Sequence, residues 1–409
     1  MWQFIYSFVY HYPLVMSIFI IFGGLCYHFF REQKHEVSLQ DLPEQPLVSI
    51  IIPCHNEQDC IRETIEYLDY QEYKNFEIIA VNDASTDQTL EILKELAHIK
   101  KNLRIVSMES NQGKGMGLTM GAMVANSEYL ICIDADALLD AHAIKYILWH
   151  FLKFPRVGAV TGNPRIRNRT SILGKIQVGE FSSIVGMIKR TQRILGKIYT
   201  VSGVIAGFRK RALQSVGYWS TDMVTEDIDI SWKLQLRFWD VRYEPRAMCW
   251  ILMPETLRGL WRQRLRWAQG GGEVLKKYFR HLFDWRQRRI WPIFIEYTTS
   301  VLWAYLFLLT IIMFAINQFV DLPVGMEVRS IIPGWTGIIL GVVCLFQILA
   351  GLIIDSSFEK GLIKLFFWLI WYPCLYWLIN AFVTIVGIPK ALFKRKGTPA
   401  IWESPDRGF

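Results

Sequence analysis

Hydrophobic and polar positions divide the 409-residue chain into three kinds of territory. Residues 13–30 form one apolar stretch that ends at Arg31 and Lys34. It is too long and too aromatic for a signal-peptide core, and no small-residue cleavage site follows. About 20 apolar residues cross a bilayer, so residues 1–32 read as a retained span with basic residues on the cytoplasmic side. Residues 33–46 are polar, include Pro43 and Pro46, and read as a linker.

Beyond the linker, short apolar runs alternate with amphipathic stretches. Strands are expected at 48–54, 76–82, 103–108, 129–135 and 157–161, with helices near 57–68, 88–99, 114–125 and 141–151. This alternation predicts βαβ units and an α/β domain built on a mostly parallel, Rossmann-like sheet over 47–256. Ligands on such sheets sit at the carboxyl ends of the strands. Three of the runs end in polar clusters: His55-Asn56-Glu57, Asn82 to Asp87, and Asp134-Ala135-Asp136.

After Ile166 the pattern reads as helical. In residues 274–283 the apolar Val274, Leu275, Tyr278, Phe279, Leu282 and Phe283 fall on one helical face, with Lys276, Lys277 and Arg280 on the other. A helix lying in a membrane interface is expected across 257–290, with packing against the preceding domain as the alternative. Three apolar stretches follow at 291–320, 331–354 and 365–388, each long enough to span. Three crossings would leave the tail, 389–409, opposite a cytoplasmic domain. Yet that tail carries Lys390, Lys394, Arg395 and Lys396, which the positive-inside tendency keeps inside. One stretch is then re-entrant, or crosses twice with a break at Pro373.

Composition agrees with a domain joined to membrane helices. Hydrophobic residues make up 52%, yet 20% are charged, too many for a chain that is membrane throughout. Mean hydropathy is +0.21, which excludes a disordered or collagen-like chain. The net charge of +8 is local: 257–290 holds ten Lys and Arg against Glu273 and Asp284. Spans begin directly after it, so lipid headgroups and a diphosphate are the expected partners and nucleic acid is not. Seven cysteines without a CxxC pair, and eight histidines without ligand spacing, argue against disulfides and zinc. Any metal is then held by oxygen.

Four motifs carry chemistry. Asp83 ends a strand, where a carboxylate can accept from a nucleobase or ribose, or cap the helix near Gln88; Asp87 suits the cap better. Asp134 and Asp136, one residue apart behind an apolar run, can share a hard divalent cation that also holds a diphosphate. Thr225-Glu226-Asp227 is either a helix start or the site of a general base, Asp227. On a helix Gln263, Arg266 and Trp267 share a face, able to hold phosphate charge and stack a sugar, or to anchor an interfacial helix.

Taken in order, the series D, DxD, TED, QxxRW resembles the processive glycosyltransferases of family two, which have a GT-A fold. The resemblance extends to the stretch from Ile52 to Glu57 and to Asn111-Gln112-Gly113-Lys114-Gly115. Val160 to Asn168, Ser202-Gly203-Val204, Leu257-x-Gly259-Leu260-Trp261 and Trp402 to Gly408 resemble the branch that makes biofilm-matrix N-acetylglucosamine polymers. Ala84 departs from the family, where many members have Gly. The resemblance implies a UDP-N-acetylglucosamine donor held near Pro53, Asn56, Glu57, Asp83, Asp134 and Lys114, and Mg²⁺ or Mn²⁺ on Asp134 and Asp136. It implies Asp227 as base, with Gln263, Arg266 and Trp267 at the growing polysaccharide. It further implies a multi-pass protein of the bacterial inner membrane that exports its product, with a small membrane partner subunit and cyclic diguanylate as activator. Hyaluronan-, chitin- or cellulose-type synthesis is the nearest rival. A non-catalytic scaffold is the more distant one, disfavoured by the intact carboxylates at 83, 134, 136 and 227.

Overall fold

A computed structural model describes residues 2–33, 42, 44–323, 325–328, 334–395 and 397–400. Most of the expected linker and the Trp402 to Gly408 motif lie outside the described residues. The strands are β1 (Val48–Cys54), β2 (Phe76–Asp83), β3 (Leu103–Met108), β4 (Tyr129–Ile133), β5 (Leu138–Leu139), β6 (Val157–Ile166), β7 (Ile205–Arg209) and β8 (Asp240–Ile251). They form one sheet in the order β3-β2-β1-β4-β7-β6-β8-β5. The first four are parallel neighbours, β7 runs against both β4 and β6, and β6 and β8 are parallel. The mostly parallel α/β sheet expected from the sequence is therefore present.

Fourteen helices accompany it among the described residues. They are α1 (Trp2–Tyr27), α2 (Ile61–Tyr67), α3 (Thr89–Ile99), α4 (Lys114–Val124), α5 (Ala143–Lys153), α6 (Ile172–Glu180) and α7 (Met187–Ile194). The others are α8 (Lys210–Val216), α9 (Glu226–Leu236), α10 (Leu257–Tyr278), α11 (Trp291–Asn317), α12 (Gly334–Asp355), α13 (Phe366–Leu369) and α14 (Trp377–Phe393).

Every residue of β1 is buried, so alternate side chains feed two separate cores. Ile50 and Ile52 pack on one face with Ile61, Ile65 and Ile147. Ile51 packs on the other with Leu118, Ile198 and Ile230. The region after Ile166 was expected to be helical, but it contains β7 and β8. β7 is five residues long with Gly207 at its centre, which is too short to set up a period-two pattern. β8 carries Arg242, Glu244 and Arg246 among its apolar residues, which masks the alternation that burial reveals.

Among the described residues, three helical segments, Trp2–Glu32, Trp285–Asn317 and Trp335–Asp355, are long and apolar enough to cross a membrane. The first and third are tied to the sheet domain by buried charges. Arg190 Nε lies 2.7 Å from Glu32 and Arg190 Nη2 lies 2.9 Å from Asp355, while Arg165 Nη1 lies 3.0 Å from the other Asp355 oxygen.

The last apolar stretch, expected as a crossing over 365–388, is interrupted instead. A 3₁₀ turn, α13 and a wide turn at Tyr372–Tyr376 precede α14. Pro373 lacks the amide that a continuous helix would need there. Leu369 packs against Gly179 at one end, and at the other Lys394 Nζ donates to the Asp222 carbonyl at 2.6 Å. Both ends of the stretch therefore stand against the sheet domain.

The expected interfacial face around 274–283 also divides. Val274 and Tyr278 are buried with Met223, Trp232 and Phe294, so this part packs on the domain. Phe279, Phe283 and Trp285 remain exposed.

Candidate active site

Parallel pairing of β2, β1 and β4 brings three polar strand ends to one edge. Asp83 is fully buried there, and its two oxygens accept from the amides of Gln112 and Gly113, both at 2.8 Å. It caps neither α3 nor the turn before it. The amide and hydroxyl of Thr89 instead donate to Asp87.

Asn56 and Ala84 both have left-handed backbones, φ 55° and 50°. A side chain there costs about 1 kcal/mol, which explains why glycine suits the position of Ala84. Asn56 offsets its own cost by accepting from the Thr86 amide at 2.8 Å and donating its amide to Ser85 Oγ. Pro53 packs beneath Gly117 of α4, and the Glu57 amide donates to Thr89 Oγ1 at 2.7 Å. These residues shape the carboxyl edge of β1 and β2.

Lys114 opens α4 and joins the two halves of the site. Its Nζ lies 2.6 Å from Asp134 Oδ1, 3.3 Å from Glu226 Oε1 and 3.4 Å from the Gly203 carbonyl. Burial alone would discharge it, but Asp134 and Glu226 raise its pKa, so it stays an ammonium ion. Burial also pushes the Asp134 carboxyl upward, against the pull of Lys114. Asp136 is buried two residues on.

Asp227, in the first turn of α9, accepts from the Ile228 amide at 2.9 Å and faces Gly203. Burial and then the Glu226 carboxylate push its pKa up to about 6, while Lys114 and Arg266 pull against them. Lys114, Asp134, Glu226, Asp227 and the Ser202–Gly203 turn thus form one cluster.

Of the α10 motif, Arg266 is exposed, and Gln263 Nε2 reaches Met253 Sδ at 3.7 Å. Trp267 is half-buried, its ring 4.3 Å from the Arg264 guanidinium carbon. Sequence reasoning missed Lys189. Its buried amine lies 2.5 Å from Ser202 Oγ and 3.2 Å from Thr161 Oγ1, and burial pushes its pKa down to about 7. It belongs to a helix with no recognisable motif, so only its neighbours Thr161 and Ser202 were legible.

Three successive glycines continue α10 away from the cluster. Added side chains would collide with Thr225 at Gly270, with Tyr297 at Gly271 and with Ala391 at Gly272. Tyr297 stacks on Tyr199 with centroids 4.9 Å apart. Both border a cavity of about 1050 Å³ that runs between α1, α11, α12 and α14, also lined by Tyr12, Gln192, Glu296 and Trp303.

The donor set suits a hard cation. Two carboxylates one residue apart supply only oxygen and leave the remaining positions to phosphate and water. No cluster of three or more metal-ligating side chains exists among the described residues, so a cation here would depend on a bound diphosphate to complete its shell.

Residues 49–217 match the family model described as Glycosyl transferase family 2. A Staphylococcus epidermidis protein named poly-beta-1,6-N-acetyl-D-glucosamine synthase is 42% identical over 99% of this chain and 98% of its own. A Staphylococcus aureus protein of the same name is 41% identical over 98% of both chains. Among solved structures, the mannosyltransferase PcManGT from Pyrobaculum calidifontis, in complex with GDP-Man and Mn²⁺, superposes with a TM-score of 0.57 at 18% identity. That match covers 95% of this chain and all of the other.

Proposed function

This chain belongs to glycosyl transferase family 2, with the GT-A fold, and we propose that it polymerises N-acetylglucosamine from UDP-N-acetylglucosamine into a β-1,6-linked chain that it passes across the membrane. The donor's uridine rests at the edge formed by Pro53, Asn56, Glu57 and Asp83. Lys114, charged and at the positive end of α4, faces the diphosphate. Asp134 and Asp136 would hold Mg²⁺ or Mn²⁺, which would supply charge opposite the departing diphosphate.

Asp227 takes the proton from the 6-hydroxyl of the chain end. The freed oxygen attacks the anomeric carbon from the face opposite the nucleotide, the bond to the diphosphate breaks, and UDP leaves with the electron pair. An α-linked donor therefore gives a β-linked product without a covalent enzyme intermediate. A pKa of about 6 leaves Asp227 ionised at neutral pH yet basic enough to accept the proton. Gln263, Arg266 and Trp267 hold the chain end.

The observation that carries the reading is the continuity of α10. One helix bears the Gln263, Arg266 and Trp267 series, touches Thr225 beside the base, and meets the tyrosine pair that lines the cavity. Sugar hydroxyls and amides would lose hydrogen bonds in hydrocarbon, so a lined passage is what export requires. Aromatic rings interspersed with Gln192 and Glu296 suit a sliding sugar chain.

On this reading α1, α11 and α12 each cross the inner membrane, and the catalytic domain and Lys394 lie together on its cytoplasmic side. The final stretch enters and returns, which agrees with its basic end. Phe283 and Trp285 beside the exposed Arg286, Arg288 and Arg289 meet the headgroups. A small partner subunit and cyclic diguanylate, if used, have these arginines as their candidate contact.

The test uses membranes carrying the chain, radiolabelled UDP-N-acetylglucosamine and Mg²⁺. Labelled polymer that a β-1,6-N-acetylglucosaminidase digests, absent with Asp227→Asn, is the expected result. Polymer that resists digestion would overturn the linkage, and incorporation only from UDP-glucose would overturn the donor.

A further inference from the structure

Between Gln263 and Arg266 lies a second arginine with a different fate. Arg264 is buried, and its Nη2 donates to Glu180 Oε2 at 2.5 Å and to Tyr376 Oη at 3.3 Å. Tyr372 Oη donates to the other Glu180 oxygen at 3.4 Å, and the two tyrosine rings stack with centroids 5.1 Å apart. The guanidinium carbon then stands 4.3 Å from the Trp267 ring centroid. Three elements distant in sequence converge on this one group: the end of α6, the α10 motif, and the turn before α14. Tyr372 and Pro373 also line the cavity, so the cluster lies between Trp267 and the passage.

Charge alone does not require this arrangement. An ammonium ion would neutralise Glu180 equally well, but it is a compact, strongly hydrated point charge, poorly suited to an indole face. The delocalised guanidinium bonds Glu180 and Tyr376 through Nη2 while its carbon stands 4.3 Å from the Trp267 ring centroid, so one group holds both the charge and the ring.

We propose that Arg264 is a positioning residue for the acceptor. It clamps the Trp267 ring so that the terminal sugar keeps its stacking surface between additions, and Glu180, Tyr372 and Tyr376 hold the clamp to the returning segment. The inference rests on the reading of Trp267 as an acceptor-stacking residue.

Arg264→Ala leaves Glu180 buried without its partner and risks misfolding, so the informative variant is Arg264→Lys. It keeps the charge opposite Glu180 and loses the guanidinium's contact with the Trp267 ring. The full-length enzyme in lipid nanodiscs would be given UDP-N-acetylglucosamine and a short β-1,6-linked N-acetylglucosamine oligomer. UDP release and product length would be followed together, with Tyr376→Phe and Trp267→Ala in parallel.

Arg264→Lys is expected to raise the KM for the oligomer by about fivefold and shorten the product, with the donor KM and the kcat at saturating oligomer within twofold of the parent. Tyr376→Phe should move the oligomer KM in the same direction by less. A purely structural Arg264 would be rescued by lysine, so an unchanged oligomer KM and product length would overturn the proposal. Equal rises in donor and oligomer KM would overturn it too. Trp267→Ala separates the two levels. If it leaves acceptor KM and length untouched, the acceptor reading itself fails. If it changes them while Arg264→Lys does not, only the clamp fails.

Discussion

Lys114 Nζ lies 2.6 Å from Asp134 Oδ1, and the same amine reaches Glu226, so one cation bridges the loop after β4 and the start of α9. Replacing it with methionine keeps most of the side-chain volume and removes the bridge. Lys114→Met is expected to raise the donor KM and lower kcat, with a combined loss of about a hundredfold in kcat/KM. Steady-state UDP release against donor concentration measures both. A loss confined to the acceptor KM would place Lys114 elsewhere in the reaction.

Asp227 should govern the acid limb of the pH profile. Burial and Glu226 raise its pKa to about 6, and a base works only when deprotonated. Activity should therefore be flat above about pH 7 and fall by about tenfold per unit well below pH 6. Asp227→Asn should cost at least about a hundredfold in kcat while UDP still binds, read by isothermal titration.

Chelation of divalent cations should stop transfer, and Mg²⁺ or Mn²⁺ should restore it. In Asp136→Asn the cation concentration for half-maximal activity is expected to rise by about tenfold or more. Identical metal titrations for parent and variant would remove Asp136 from the donor set.

Gly270→Ala forces a methyl group into the Thr225 side chain. Overpacking of this kind costs about 1–3 kcal/mol, and here the displaced residue adjoins Glu226 and Asp227. Both thermal stability and kcat should drop. A variant as active as the parent would show that the base tolerates movement of Thr225.

Arg190, Glu32 and Asp355 are buried together where two candidate membrane helices meet the domain. Arg190→Ala removes the guanidinium that Glu32 and Asp355 share, leaving Asp355 with Arg165 alone, and should destabilise the fold by about 3–5 kcal/mol. Replacing the whole group with apolar residues should recover much of that loss. Denaturation in detergent, followed for single and multiple variants, measures the difference.

The candidate-site carboxylates were legible because each ends a run of apolar residues or opens a helix, and neighbouring positions make such patterns. β1 to β4 were legible for the same reason. β7 and β8 were hidden, one by brevity and one by its charged residues, whose partners come from distant segments such as His150 beside Glu244. Arg264 and Lys189 were not recognisable as special, since their burial depends on Glu180 in one case and on Thr161 and Ser202 in the other. The interrupted final stretch was open to inference only as a charge paradox. Its resolution depends on how α14 packs against α10, where Gly387 meets Ala268 and Gly272 meets Ala391.

Those glycine contacts make α10 a fixed beam. Backbone-close packing on three sides, against Thr225, Tyr297 and Ala391, leaves the helix no room to roll or slide without colliding with side chains. Yet something must advance by one sugar after each addition. On the proposed reading, with the beam immobile, the product itself would be the moving part, advancing past a helix that stays where it is.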